Sequence, residues 1–288
     1  MKLTFLGTGT SHGIPVIGCD CPVCKSSDFR DQRLRSSVLI TDNNTNILID
    51  CGPEFRIQAL KYNIKKIDSI LLTHSHADHL HGIDDLRVFA SLSFKDKDNK
   101  LKKEPLNIYA NSDTLKDFKS RFNYLFTPVL QGGGRAFVKL NNTSKYNANS
   151  PLQIDKITIY KIPMYHGTLK TNGYVMQKGK KIFAYLTDVS KMPKSSINLL
   201  TSFGTIDHLI IDGLRIRPHS THFSFSEALE IANVINARHT WLTHLCHESS
   251  HTDAQAWINN NISLYPNLEK TIKKGGSVSP AYDGLILS

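Results

Sequence analysis

Three apolar runs of one form recur along the chain: Ile70-Leu71-Leu72-Thr73, Ala184-Tyr185-Leu186-Thr187 and Thr240-Trp241-Leu242-Thr243. Each closes on Leu-Thr and is followed by a residue able to ligate a metal, His74, Asp188 and His244 respectively. Short unbroken apolar runs are the pattern of strands buried on both faces. Further strands are predicted over residues 3–6, 107–110, 157–162, 173–176, 181–185 and 208–212, with a hairpin of 38–41 and 46–50 across Asp42-Asn43-Asn44. Helices are predicted over 54–62, opened by Pro53, over 83–93, from Ser112 or Asp113 to about Asn123, and over 193–200. Ser224 and Glu227 form a capping box that opens an amphipathic helix through Ile235.

The chemistry gathers behind the first run, at His74-Ser75-His76-Ala77-Asp78-His79. Neutral imidazole nitrogens and carboxylate oxygens are the usual ligands of zinc and its first-row neighbours. His74 and His76, two apart at the end of an extended segment, can point the same way and chelate one ion. Asp78 and His79 fall where the chain turns into a helix and can reach a second. Four ligands are too few for two ions, and His166, Asp188 and His244 supply the rest from other strand ends, where a rigid scaffold holds them. Cys19-Asp20-Cys21-Pro22-Val23-Cys24 is a second cluster: three thiols at this spacing make a tetrahedral zinc site short of one ligand, which His247 or Cys246 can complete. Cys51 reads as a small core residue.

The ordered set His74, His76, Asp78, His79, His166, Asp188, His244 resembles the metallo-β-lactamase superfamily, from Leu3 to Gly284. The resemblance implies an α/β fold, an αββα sandwich of two mixed β-sheets with helices on the outer faces and metals at one edge. It implies that His74, His76 and His166 hold one divalent ion, that Asp78, His79 and His244 hold a second, and that Asp188 bridges them; Zn, Mn or Fe would suit these ligands. The cysteine pattern narrows the resemblance to the phosphodiesterase branch typified by phosphoribosyl 1,2-cyclic phosphate phosphodiesterase, in which a structural zinc, here Cys19, Cys21, Cys24 and His247, lies outside the active site. The expected reaction is hydrolysis of a small, cyclic phosphodiester, a sugar cyclic phosphate or cyclic nucleotide, by hydroxide bridging the two ions. In that branch the histidine before the helix, here His222, is the general acid; Asp78 is the other catalytic residue. The helix dipole is expected to disfavour the His222 imidazolium. His12, Arg215, Arg217 and His219 are candidate substrate contacts, as are Tyr124, Phe126 and Arg135 around a sugar or base. Asp84 to Arg87 is expected to hydrogen-bond behind the ligands, and Asp212 to orient a ligand or cap a turn.

The remaining properties change this picture little. A chain of 288 residues with 40% hydrophobic and 21% charged content can bury a full core, and a single domain over 1–288 with the cysteine loop at 19–24 is expected. Without an apolar run of transmembrane length or a signal segment, and with five cysteines, the expectation is a cytoplasmic protein that does not engage a membrane. A homodimer fits a sandwich of this size. The net charge of +10 favours anionic partners, although lysines of 95–103 alternate with Asp and Asn and read as a solvated loop. Two rival readings share the motif. A tRNA 3′-processing endoribonuclease would use the charge on a polynucleotide but needs a glycine-rich basic arm, for which Gly132 to Arg135 is a faint candidate. A protein of pyrroloquinoline quinone biosynthesis would share the cysteine loop. A metal-stabilised binding module is disfavoured by the spare histidine.

Overall fold

Along the strand Lys181–Leu186 every side chain after the first is buried, and alternate ones enter different cores. Phe183 and Tyr185 join an inner core with Phe5, Ile40, Ile47, Leu71 and Ile210; Ile182, Ala184 and Leu186 join an outer one with Leu209, Ile211 and Leu242. Strands with both faces covered have no polar alternation to show, which is why these segments read as continuous apolar runs.

The computed structural model describes residues 1–90, 93–95, 101–127 and 135–288, with the backbone alone in Ser93–Lys95 and Leu101–Lys103. Two seven-stranded mixed sheets stack face to face. The first runs Ile286–Leu287, Lys2–Gly7, Ser37–Asp42, Thr45–Ile49, Ser69–Leu71, Leu106–Ala110, Val138–Asn142. The second runs Leu152–Ile154, Ile157–His166, Leu169–Lys178, Lys181–Leu186, His208–Asp212, His239–Thr243, Ser277–Pro280. Each begins with antiparallel pairings and turns parallel after its fourth strand, Thr45–Ile49 in one and Lys181–Leu186 in the other. The two halves thus repeat one pairing scheme, and the residues just past those fourth strands include Asp50 and Asp188.

Helices cover both outer faces. Phe55–Lys61 and Ser112–Arg121 pack Phe55 and Phe118 into the core outside the first sheet. Lys194–Ser202, Phe225–Ile235, His251–Asn261 and Pro266–Lys273 cover the second with Leu200, Leu229, Ile258 and Leu268. This is the αββα sandwich. The cap of Ser112–Arg121 is Asn111, one residue before the expected position, because its side chain accepts the Thr114 N–H at 2.8 Å. Residues 83–90 form a 3-10 turn, Ile83–Leu86, and one helical turn, Arg87–Ala90. No helix among the described residues is long and apolar enough to cross a membrane. Much of the lysine-rich run of 95–103, and Gly132, Gly133 and Gly134, lie outside the described residues.

Candidate metal centre

Past the buried strand Ser69–Leu71, Thr73 makes two hydrogen bonds to one carboxylate: its N–H donates to Asp50 Oδ1 and its hydroxyl to Asp50 Oδ2, both at 2.8 Å. With that hydroxyl proton committed, His74 Nδ1–H donates to Thr73 Oγ1 at 2.9 Å. His76 ends the extended segment as N-cap of the short helix Ala77–Leu80, which carries Asp78 and His79. His79 Nδ1–H donates to Asp50 Oδ2 at 2.7 Å. Asp50 therefore fixes the tautomer of His79 directly and of His74 through Thr73, leaving both Nε2 atoms bare. Such partners orient metal-binding histidines. Gly52 lets this turn close: a Cβ there would stand 2.1 Å from the Asp78 carbonyl oxygen.

The opposite sheet meets the same point. Lys181–Leu186 delivers Asp188 and His239–Thr243 delivers His244, both with left-handed backbone, φ 54° and 59°; Asp50 has φ 62°. Asp and His tolerate that region better than most residues, at a cost of order 1 kcal/mol. His166, ending Ile157–His166, donates Nδ1–H to the Thr221 carbonyl at 2.5 Å and also keeps Nε2 free. Two groups of donor atoms result: His74, His76 and His166, and Asp78, His79, Asp188 and His244. Asp188 lies between them, with Oδ2 at 3.1 Å from His79 Nε2 and Oδ1 at 3.4 Å from His244 Nε2 and 3.9 Å from His74 Nε2.

These side chains fit metal ions. The buried Nε2 atoms of His74, His79 and His244 have no hydrogen-bond partner among the described residues. Bare nitrogens facing carboxylate oxygens lone pair to lone pair need positive charge between them. Burial opposes protonation of His79, yet Asp188, Asp78 and Asp50 hold its proton on well above the usual histidine range. Burial opposes ionisation of Asp78 and Asp188, and the surrounding histidines bring both below the usual carboxylate range. Burial first, then the neighbouring charge of His79, pushes His74 well below its ordinary value, favouring the neutral ligand form.

His222 stands beside the cluster, its ring centroid 4.4 Å from that of His166 and 4.6 Å from that of His244. Its Nδ1–H donates to Asp212 Oδ2 at 2.7 Å. Burial lowers its pKa, but the Asp212 carboxylate outweighs burial and lifts it to about 9. The dipole of Phe225–Ile235 therefore does not decide its protonation; a carboxylate in hydrogen-bond contact is stronger than a helix end one turn away. A cavity of about 410 Å³ opens over these groups and is also lined by His12, Arg215, His219 and Glu248.

The cysteine cluster is assembled as well. His247 Nδ1 lies 3.3 Å from the Cys19 Sγ and 3.5 Å from those of Cys21 and Cys24. The Cys24 N–H donates to Cys21 Sγ and lowers that thiol to about 6, whereas burial pushes Cys24 up to about 11. Cys246 lines the cavity, as His247 does, but is not in the group of thiols. Its neighbour His247, not Cys246, meets the three thiols.

Residues 45–245 match the family model described as beta-lactamase superfamily domain. The chain belongs to the metallo-β-lactamase superfamily. It is 35% identical, with a TM-score of 0.79, to a crystallised diphosphatase of the PhnP family, covering all of this chain and 97% of that one. It is 34% identical over 251 residues to the octanoyltransferase of Porphyromonas gingivalis, 86% of this chain but 46% of the relative. It is 27% identical over 197 residues to ribonuclease Z of Methanococcus maripaludis, 67% of this chain and 53% of the relative. The chain spans about half the length of these last two proteins, so the transfer activity named for the first is not carried over.

Against the residues expected of this superfamily, the structure brings all seven histidine and aspartate positions together. Three expectations change. Asp84 accepts from the Tyr124 hydroxyl, and Asp50 supplies the hydrogen bonds behind His79 and, through Thr73, His74. Arg217 is 71% exposed and outside the cavity lining; Arg215, paired to the same Glu248, takes the lining position. Tyr124 and Arg135 bind each other's neighbourhood, Arg135 Nη1 donating to the Tyr124 carbonyl at 3.1 Å, and neither lines the cavity. Asp50 and Glu248 were missed. The signal for Asp50 was present: Ile47-Leu48-Ile49-Asp50 is another apolar strand closing on a ligand-type residue.

Proposed function

We propose that this protein is a metal-dependent hydrolase of small phosphodiesters. The observation that carries the reading is the convergence of seven histidine and aspartate side chains beside a histidine whose proton a buried carboxylate holds. His74, His76 and His166 would hold one divalent ion, Asp78, His79 and His244 another, with Asp188 between them. Ions there would supply Lewis acidity toward phosphoryl oxygens and a lowered pKa for water. Asp50 keeps His74 and His79 in the ligating tautomer. His222, anchored at Nδ1 by Asp212, presents Nε2 to the cavity as donor of a proton to the leaving oxygen. The cavity admits a sugar phosphate or nucleotide, and the full-length likeness to a PhnP-family diphosphatase extends the linkage to a phosphoric anhydride. Cys19, Cys21, Cys24 and His247 would hold a structural zinc.

The test pairs elemental analysis with hydrolysis of bis(p-nitrophenyl) phosphate. Wild type is expected to carry about three metals per chain and to turn over. His222→Ala is expected to keep its metals and lose about 10²–10⁴-fold in kcat. Turnover unchanged in that variant would remove His222 from the reaction. A second reading, cleavage of precursor tRNA, is favoured by the ribonuclease Z relative and the charge of +10. Site-specific 3′ cleavage of such an RNA, faster than that of cyclic nucleotides, would install it instead.

A further inference from the structure

The run His244 to Glu248 serves three places within five residues. His244 belongs to the metal cluster, His247 meets the three thiols, and Glu248 pairs with Arg215 in the cavity wall. The first half of the run is held by its backbone. The Leu245 N–H donates to the Thr8 carbonyl at 2.9 Å, the Thr10 N–H to the Leu245 carbonyl at 3.0 Å, and the Cys246 N–H to the Leu214 carbonyl at 3.0 Å. Past Cys246 the grip passes to side chains, the thiols on the His247 ring and two arginines on Glu248. The thiols sit on a loop that projects into solvent. Ile17 is 98% exposed, and a Cβ on Gly18, φ 73°, would meet nothing within 4 Å. Cys19 and Cys21 are partly exposed, whereas Cys24 and Cys51 are buried. Cys21 and Cys24 have the C-x-x-C spacing of thiol–disulfide couples, and the four donor atoms of the cluster lie within 4.8 Å of one another.

We propose that this cluster is a redox-gated clamp, in which a hydroperoxide joins Cys21 to Cys24 and releases His247, and with it Cys246 and Glu248 at the cavity wall. The clamp goes beyond the hydrolase reading and rests only on the zinc proposed for these four residues. The partly exposed Cys21 thiolate attacks one oxygen of hydrogen peroxide, the O–O bond breaks, and hydroxide leaves; Cys21 is then a sulfenic acid. The Cys24 thiolate attacks that sulfur, an S–S bond forms, and a second hydroxide leaves. Two electrons pass from the sulfurs to the peroxide, and two protons from solvent turn the hydroxides into water. Cys19 and His247 remain as donors, too few for the four-coordinate site of a structural zinc. A dithiol reductant and zinc reverse the change. Cys51, wholly buried in the core outside the first sheet, is out of the oxidant's reach.

The test treats the zinc-loaded protein with hydrogen peroxide and needs no turnover. Released zinc is followed with a chromophoric chelator and the disulfide by peptide mass mapping. The position of the run is followed by the rate at which iodoacetamide alkylates Cys246 once the peroxide has been removed. About one zinc per chain is expected to leave as the Cys21–Cys24 disulfide appears. Cys246 is expected to be alkylated at least about tenfold faster, and dithiothreitol with zinc to restore both states. Cys24→Ser is expected to form no such disulfide; if that variant does not fold, the mapping on wild type decides. Sulfinic or sulfonic acid at Cys21 without a disulfide overturns the clamp. Zinc release with unchanged alkylation of Cys246 overturns it too, by showing that the thiols do not hold the run. Zinc content unchanged in a Cys19→Ser, Cys21→Ser double variant strikes the zinc reading and the clamp with it. Loss of about one zinc in that double variant, with wild-type zinc that survives peroxide, strikes the clamp alone.

Discussion

Asp50 does not line the cavity over the metal centre, yet it accepts from Thr73 twice and from His79 once, and through Thr73 it sets the ring of His74. Burial pushes its carboxyl up, against the pull of His79 and Thr73. Asp50→Ala is expected to weaken metal retention about 10–100-fold, measured by competition with a chelator. Retention at the wild-type level would mean that packing alone orients the two rings. Asp212→Asn tests the equivalent contact on the other side. It keeps the shape but offers His222 a weaker acceptor, so kcat is expected to fall while metal content stays unchanged. The identity of such residues could be read from the chain only as type. Asp50, Asp84 and Asp212 are all acids near apolar runs, and which partner each one meets, an imidazole for Asp50 and Asp212 and a tyrosine hydroxyl for Asp84, is chosen by how the strand ends and turns fold together.

At the scale of elements, the site depends on short turns held close to strand ends. Gly52→Ala would drive a Cβ into the Asp78 carbonyl, so the helix Ala77–Leu80 must shift. Loss of ions from the Asp78/His79 group, seen by elemental analysis, is expected before any global unfolding. The helix Phe225–Ile235 was legible to the residue, because a capping box is a local pattern: Ser224 Oγ accepts the Glu227 N–H while the Glu227 carboxylate accepts the Ser224 N–H. Ser224→Ala is expected to cost about 1 kcal/mol in denaturant unfolding. It should also loosen His222, two residues before the cap, lowering kcat more than it raises KM. The residues 83–90 were less legible, since a 3-10 turn and a single helical turn share the periodicity of one irregular helix.

For the whole molecule, burial of histidines away from the metal centre sets a pH dependence. His208 and His251 are held at about 4, burial first, then the neighbouring positive charges of His239 and of Arg33 and Arg30. In the unfolded chain each titrates near 6.5. Between these values the unfolded state binds more protons, so stability is complete above about pH 6.5 and is lost as pH falls toward 4. The urea midpoint of metal-free protein is expected to drop across that window, and His208→Asn to flatten part of the slope. A midpoint constant from pH 7 to 4.5 would contradict the burial. The sequence by itself determined the buried central strands, the histidine and aspartate ligand types, the thiol cluster and the capped helix, because each is a short-range pattern of hydrophobicity, spacing or local hydrogen bonding; the edge strands Val138–Asn142, Leu152–Ile154, Ser277–Pro280 and Ile286–Leu287 were not among them. Tertiary structure alone decided that His247 and not Cys246 meets the thiols, that Asp50 stands behind two ligands, and that of two arginines paired to Glu248 only Arg215 lines the cavity. Those choices depend on distances between segments from 29 to 228 residues apart, which no local pattern encodes.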